Sequence, residues 1–167
     1  ILELLFTDDS GLALTDFQGQ ANATLNPEPR DAPDAMSPGM NLKFLKDQLS
    51  KSKAVVKNLL LDQHAIRGIG NAYADDILWD AGISPFSISN KIPAAKVPVL
   101  LKSIKSILKK AEKSILKTHP DIIAGEIRDF MLIHNPKIDR SPTGAPIKVK
   151  STGSRKTYFT REQKLFK

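Results

Sequence analysis

Gly68-Ile69-Gly70-Asn71 breaks a segment, Leu59 to Pro85, that is otherwise patterned for helix. Two glycines flanking one apolar residue let a backbone reverse through conformations that β-carbon sterics penalise in other residues. The break predicts a helix, a tight turn and a second helix. Glycine also leaves amide N–H groups uncovered at the start of that second helix. A helix N-terminus carries partial positive charge and unpaired N–H donors, so it accepts a phosphate oxygen. Asn71 is placed to cap the helix or to reach the same anion with its amide. The competing reading is a compact helical turn around a buried Ile69.

Charge distribution favours the anion. Residues 1–40 hold seven acidic residues and one basic one (Arg30), which leaves 24 basic and 11 acidic residues in the remainder. A basic block of this kind is the electrostatic footprint of a nucleic-acid binder, although a solubilising lysine surface gives the same total. No run of apolar residues reaches membrane-spanning length and no secretory pattern is present, so a cytoplasmic, monomeric protein is expected. With no cysteine in 167 residues, disulfides and thiolate zinc sites are excluded.

Along the chain, Ile1–Thr7, the turn signal Asp8-Asp9-Ser10-Gly11 and Leu12–Thr15 predict a β-hairpin, and Ala21–Leu25 predicts a further strand. Three short strands cannot bury two faces, so they read as the tail of a larger β-domain. Residues 27–41, with several prolines and no periodicity, predict a linker. Leu42–Leu49 predicts a short amphipathic helix. In the second hairpin helix, Ala72, Ile77, Leu78 and Ala81 are expected inward. Asp75 and Asp76 are expected to complement the helix dipole or to be solvated, because adjacent helical side chains diverge by about 100°. His64 reads as a structural histidine. Gly82 and Pro85 stop the helix. Ile92–Thr118 predicts the longest helix, its apolar stripe running from Leu100 through Leu116 between lysines, and Gly125–Ile133 a shorter helical or extended piece. Ser141–Phe166 predicts a β-hairpin.

The segments Lys57, Leu60-Leu61-Asp62-Gln63, Gly68-Ile69-Gly70-Asn71, Tyr73-Ala74-Asp75, Leu78, Ala81-Gly82-Ile83 and Pro85 resemble the helix–two-turn–helix of the formamidopyrimidine-DNA glycosylase and endonuclease VIII family. The resemblance continues through Gly144-Ala145-Pro146-Ile147, Gly153-Ser154-Arg155-Lys156-Thr157-Tyr158-Phe159 and Gln163, so it covers nearly the whole chain. It implies an α+β fold in four parts. Residues 1–26 are the end of a β-sandwich and 27–41 a linker. Residues 42–136 form a mainly helical DNA-binding domain, and 137–167 a β-hairpin finger of the zincless type. The family's zinc ligands fall near Arg140, Thr143, Thr160 and Glu162, which cannot build a thiolate site, so Ile147, Val149, Tyr158 and Phe159 are expected to supply the finger's core.

The resemblance also implies function. Members flip an oxidised base from duplex DNA, attack the sugar C1′ through an amine and cleave the backbone by elimination. No cofactor or metal is implied. DNA-binding roles carry over to Lys57, Gly68, Gly70, Asn71, Tyr73 and Arg155. The alternatives are a solvated helix-end cation for Lys57 and a flexible basic tail for Arg155. No catalytic residue carries over, because the family's terminal Pro-Glu pair has no match; this chain alone is expected to bind DNA without glycosylase activity. Phe17-Gln18-Gly19-Gln20 lacks the arginine of the family's void-filling wedge. The partner implied is double-stranded DNA with an oxidised base or abasic site, at the nucleoid or in the nucleus. A second class of reading is a non-catalytic nucleic-acid module. Similar helix–two-turn–helix units occur in a ribosomal small-subunit protein and a type II topoisomerase subunit, without the Arg155 frame.

Overall fold

A computed structural model describes residues 2–16, 19, 21–28, 31–123, 125–153 and 155–167. The chain divides into two units, Ile1–Arg30 and Asp31–Lys167. In the first, β1 (Leu2–Leu5) pairs antiparallel with β2 (Gly11–Leu14), setting Leu2 opposite Leu14 and Leu4 opposite Leu12. The Asp8 carboxylate closes the turn by accepting from the Ser10 amide (3.1 Å) and hydroxyl (2.6 Å). Ala21–Leu25, expected as a strand, forms none, and among the described residues no strand pairs with it. Phe17, Gln18 and Gln20, at the site of the missing wedge, lie outside the described residues.

The second unit begins earlier than proline content suggests. Within the stretch read as linker, Ala35 and Met40 are buried in the core. A proline lacks an N–H but keeps its carbonyl. Pro33 O accepts from the Arg67 amide (3.0 Å) while the Ala35 amide donates back to Arg67 O (2.9 Å). The Pro-rich segment is thus bonded to the hairpin turn.

Four helices follow. α1 (Leu42–Lys51) starts at Asn41, whose side-chain oxygen accepts from the Phe44 amide at 3.0 Å. α2 (Val56–Leu61) buries Val56, Leu59 and Leu60. α3 (Asn71–Asp80) buries Ala74, Ile77 and Leu78, with Ala72 left half-buried. It ends as predicted: Gly82 adopts φ 65°, and the Ile83 amide reaches back to Leu78 O (2.9 Å). α4 (Val97–Thr118) starts later than its periodicity suggests, because Pro93 and Pro98 restrict the entry to 3₁₀ turns at Ser89–Lys91 and Ala94–Lys96. Its stripe is buried at Leu100, Ile104, Ile107 and Ala111, but Leu116 is 62% exposed. Gly125–Ile133 contains no regular element among its described residues.

The C-terminal ribbon is β3 (Lys148–Thr152) paired antiparallel with β4 (Arg155–Phe159). Beyond it, the chain returns to the helices: Lys164 N–H donates to Gly82 O (3.0 Å), and Phe166 closes over the core. Among the described residues no helix is long and apolar enough to cross a membrane.

Candidate nucleic-acid interface

Only one of the two turn glycines occupies the left-handed region. Gly68 has φ +87°, whereas Gly70 is extended at φ −94°, ψ 170°. Ile69 between them is buried, and both glycines are exposed. The Gly68 amide, expected to be uncovered, is occupied: it donates to Gln63 Oε1 (3.0 Å), while Gln63 Nε2 donates to Ile69 O (3.1 Å). Gln63 therefore ties the turn shut. The uncovered donors lie one step later. The first bond of α3 runs from the Ala74 amide to Gly70 O (2.9 Å), so the N–H groups of Asn71, Ala72 and Tyr73 have no intrahelical acceptor. Nothing stands within 4 Å of where a Gly70 Cβ would project, which leaves this end of the helix open to an anion.

Beside it, Lys57, Asn58, Asn71, Phe86, Arg155 and Thr157 line a cleft of about 230 Å³. α2, α3 and β4 each contribute a cation or an amide. Asn71 Nδ2 donates to Lys156 O (3.1 Å), and its Oδ1 is buried without a hydrogen-bond partner. Lys57 is neither solvated nor free. Its ammonium lies 2.6 Å from Asp75 Oδ1, donates to Thr157 Oγ1 (2.8 Å) and reaches Lys156 O (3.4 Å). Burial pulls its pKa down, the Asp75 carboxylate opposes this, and the neighbouring Arg155 charge adds to the lowering. With three donor directions taken and its charge paired with Asp75, Lys57 lines the cleft without offering it an open contact. Arg155 is exposed and lines the same cleft. Tyr73 does not join this group; it is half-buried and lines a separate cavity of about 300 Å³ with Gly70, Asn71, Ala72, Ile115 and Met131, so Asn71 stands between the two.

The paired carboxylates overturn their expected role. Asp75 and Asp76 are 0% and 2% exposed, and together they staple β4 and the 132–134 loop to α3. Asp75 Oδ2 accepts from the Tyr158 amide (2.8 Å) and meets His134 Nδ1 at 2.7 Å. Asp76 accepts three amide bonds, from Leu132 (2.6 Å), Ile133 (3.0 Å) and His134 (3.1 Å). Burial raises the Asp76 pKa and those three N–H donors act against it. The divergence of adjacent helical side chains is what lets Asp75 hold β4 and the His134 ring while Asp76 holds the 132–134 backbone. His134, whose ring stacks 4.4 Å from that of Tyr158, is the histidine built into the site. His64, read as structural, is exposed. Acids flanked by buried Ala74 and Ile77 were the sequence signal for this node; nothing local marked His134.

The finger is organised around Glu162. Its carboxylate accepts from the hydroxyls of Ser141 (3.0 Å), Thr160 (3.0 Å) and Thr143, and from the Trp79 indole of α3 (3.2 Å). These bonds hold its pKa below the usual glutamate range, the Thr143 hydroxyl contributing most. Three of the four positions expected to replace metal ligands thus meet, with Ser141 in place of Arg140, whose guanidinium turns to Gly144 O (2.9 Å). The expected apolar core is only partly present: Tyr158 is buried, Phe159 packs edge-on against Phe86 (4.9 Å), and Val149 is 51% exposed. Val149 shares a face with Tyr158 in the ribbon, but the bond to α3 runs from β4, through the Tyr158 amide to Asp75. Among the described residues, no cluster of three His, Cys, Asp or Glu could hold a metal.

Residues 32–119 match the family model for the formamidopyrimidine-DNA glycosylase H2TH domain. The chain is 30% identical to a formamidopyrimidine-DNA glycosylase of Lactobacillus acidophilus over 99% of its own length and 66% of the relative's. It is 40% identical to that of Prochlorococcus marinus (strain MIT 9312) over 62% of its length and 36% of the relative's. Its structure is similar to the Lactococcus lactis enzyme non-covalently bound to DNA containing an AP site, with a TM-score of 0.68 and 26% identity, across 81% of this chain and 50% of that one. The chain spans from about a third to just under two thirds of the length of these curated relatives.

Proposed function

Because the chain belongs to the formamidopyrimidine-DNA glycosylase family through its H2TH domain, we propose that it is the duplex-gripping part of a base-excision-repair DNA glycosylase and AP lyase acting on oxidised bases. The observation that carries this reading is that Arg155 and Asn71, the first residue of α3, line one cleft beside the open N-terminus of that helix. An arginine's planar fork spans two phosphate oxygens, and uncovered helix amides add directional donors with partial positive charge. Lys57, paired with Asp75, forms part of the cleft wall without leaving its own partners. Phosphate contacts position a duplex but read no sequence, which suits an enzyme that must find damage in any context.

The cleft binds rather than reacts. A Schiff-base nucleophile needs an unprotonated amine, and the Lys57 amine is ion-paired to buried Asp75. Residues 42–136 and 137–167 act together here, since β4 is bonded to both hairpin helices. The protein works as a monomer where DNA is held, at the nucleoid or in the nucleus.

Fluorescence anisotropy on three probes tests the reading: a duplex with an abasic-site analogue, the intact duplex and a structured RNA. Affinity is expected to fall in that order and to weaken steeply with salt. Equal or tighter binding to the RNA favours a non-catalytic nucleic-acid module, and salt-independent binding removes the phosphate site altogether.

A further inference from the structure

In an antiparallel ribbon, residues directly opposite one another share a face. Thr152 is opposite Arg155 and Lys150 is opposite Thr157, so Lys150 stands on the same face as the two ribbon residues that line the cleft. Its ammonium lies 5.1 Å from the centre of the Phe86 ring. Phe86 itself lines the cleft and is propped edge-on by Phe159 at 4.9 Å. A cation held over an aromatic face is attracted by the ring quadrupole, and Lys150 is exposed, so N–H donors remain open to solvent. No carboxylate pairs with Lys150 among the described residues.

The geometry points to Lys150, seated on Phe86, as a second backbone-phosphate contact that extends the Arg155 site along the same DNA strand. The inference rests on reading the cleft as a phosphate site. Lys150 and the Arg155 partner position are two ribbon residues apart, about 7 Å along the strand. One strand of a duplex presents a phosphate every 3.4 Å or so of axis. Two groups with that separation serve two phosphates rather than one. Phe86 fixes the flexible lysine stem before binding, so less rotamer freedom is lost on contact. Lys57, whose ammonium is enclosed by Asp75 and Thr157, leaves that second phosphate to Lys150.

The test is the salt dependence of duplex binding by the whole chain, because each neutralised phosphate contributes about 0.9 to the slope of log K against log salt. K150A is expected to lower the slope by about that amount, to weaken binding roughly tenfold, and to leave the melting temperature and the preference for the abasic-site duplex unchanged. R155A serves as the reference. If R155A lowers the slope and K150A does not, the Lys150 contact is overturned while the cleft stands. If neither lowers it, the phosphate reading of the cleft fails and the inference with it. F86L separates the seat from the charge: it is expected to weaken binding in the native chain and to have no added effect in the K150A background. Equal losses in both backgrounds overturn the role given to Phe86.

Discussion

Lys57 and Asp75 form a buried ion pair, Nζ to Oδ1 at 2.6 Å, with side chains 6% and 0% exposed. The pair joins α2 to α3, and its remaining bonds reach Thr157 and the Tyr158 amide of β4. The helix–turn–helix and the ribbon are therefore one clamp built on a single charge pair. Removing one partner leaves the other charge buried, which costs about 3–5 kcal/mol. Urea unfolding of K57M and D75N is expected to show losses of that size for each. The double variant K57M/D75N should be far less than additive, and a strictly additive cycle would show that the two side chains act separately.

Gly68 and Gly70 are expected to respond in opposite ways to alanine. At Gly68, φ is +87° and an added Cβ would stand 2.9 Å from Asp34 Oδ2. G68A should cost about 1–2 kcal/mol of stability from the left-handed backbone alone. At Gly70 the backbone is extended and the space is open, so G70A should fold as well as the native chain. Its methyl group would stand at the mouth of the helix amides and weaken duplex binding. Thermal melts and anisotropy of both variants check this; a G70A chain that binds normally would place the anion elsewhere.

The local elements were legible because their causes are local. Asn41 and Gly82 bound their helices with side-chain and backbone bonds a few residues away, and Leu100, Ile104, Ile107 and Ala111 mark α4 by period alone. The clamp was not legible, since its bonds connect residues far apart in sequence: Asp75 and His134 are separated by 59 positions and Lys57 and Thr157 by 100. A carboxylate's pattern on a helix face does not state which distant amide it will meet. The packed stretch at Ala35–Met40 was missed for a related reason, because its anchoring acceptors are carbonyls that prolines retain. Along the ribbon, alternation identified both strands, but which strand lies against α3 is set by a distant contact, the Tyr158 amide on Asp75, so Val149 and Tyr158 had equal claims from sequence.

Arg155 and Asn71 should separate binding from folding. Arg155 is exposed, so R155A is expected to leave the melting temperature near that of the native chain. Duplex binding should weaken by about 1.5–3 kcal/mol, the range for a hydrogen bond to a charged group. R155K keeps the charge but loses the two-oxygen fork and should recover only part of that loss. N71A removes a bond to Lys156 O as well as the cleft amide, so it should lower both affinity and stability. Parallel anisotropy and thermal melts decide the matter. A large fall in R155A stability would assign the arginine to the fold.

Glu162 gives the finger a pH dependence whose direction follows from its bonds. Its pKa is lower folded than unfolded, chiefly through the Thr143 hydroxyl and the Trp79 indole. A depressed carboxyl stabilises the folded form fully above its ordinary pKa, about 4.3, and that contribution disappears as pH falls through the lower folded value. Trp79, the single tryptophan of the chain, donates directly to this carboxylate (3.2 Å), so its emission reports the event. In the native chain the emission should change as pH falls through the acid range below 4.3 or so. E162Q carries no ionising group there and should lack that change, while its neutral amide weakens the hydroxyl bonds at every pH. Because the hub is made of oxygen and indole donors around a carboxylate, a chelator should leave both emission and DNA affinity unchanged. An acid transition that persists unaltered in E162Q would assign the titration to another carboxylate and detach Glu162 from the hub it forms with Ser141, Thr143, Thr160 and Trp79.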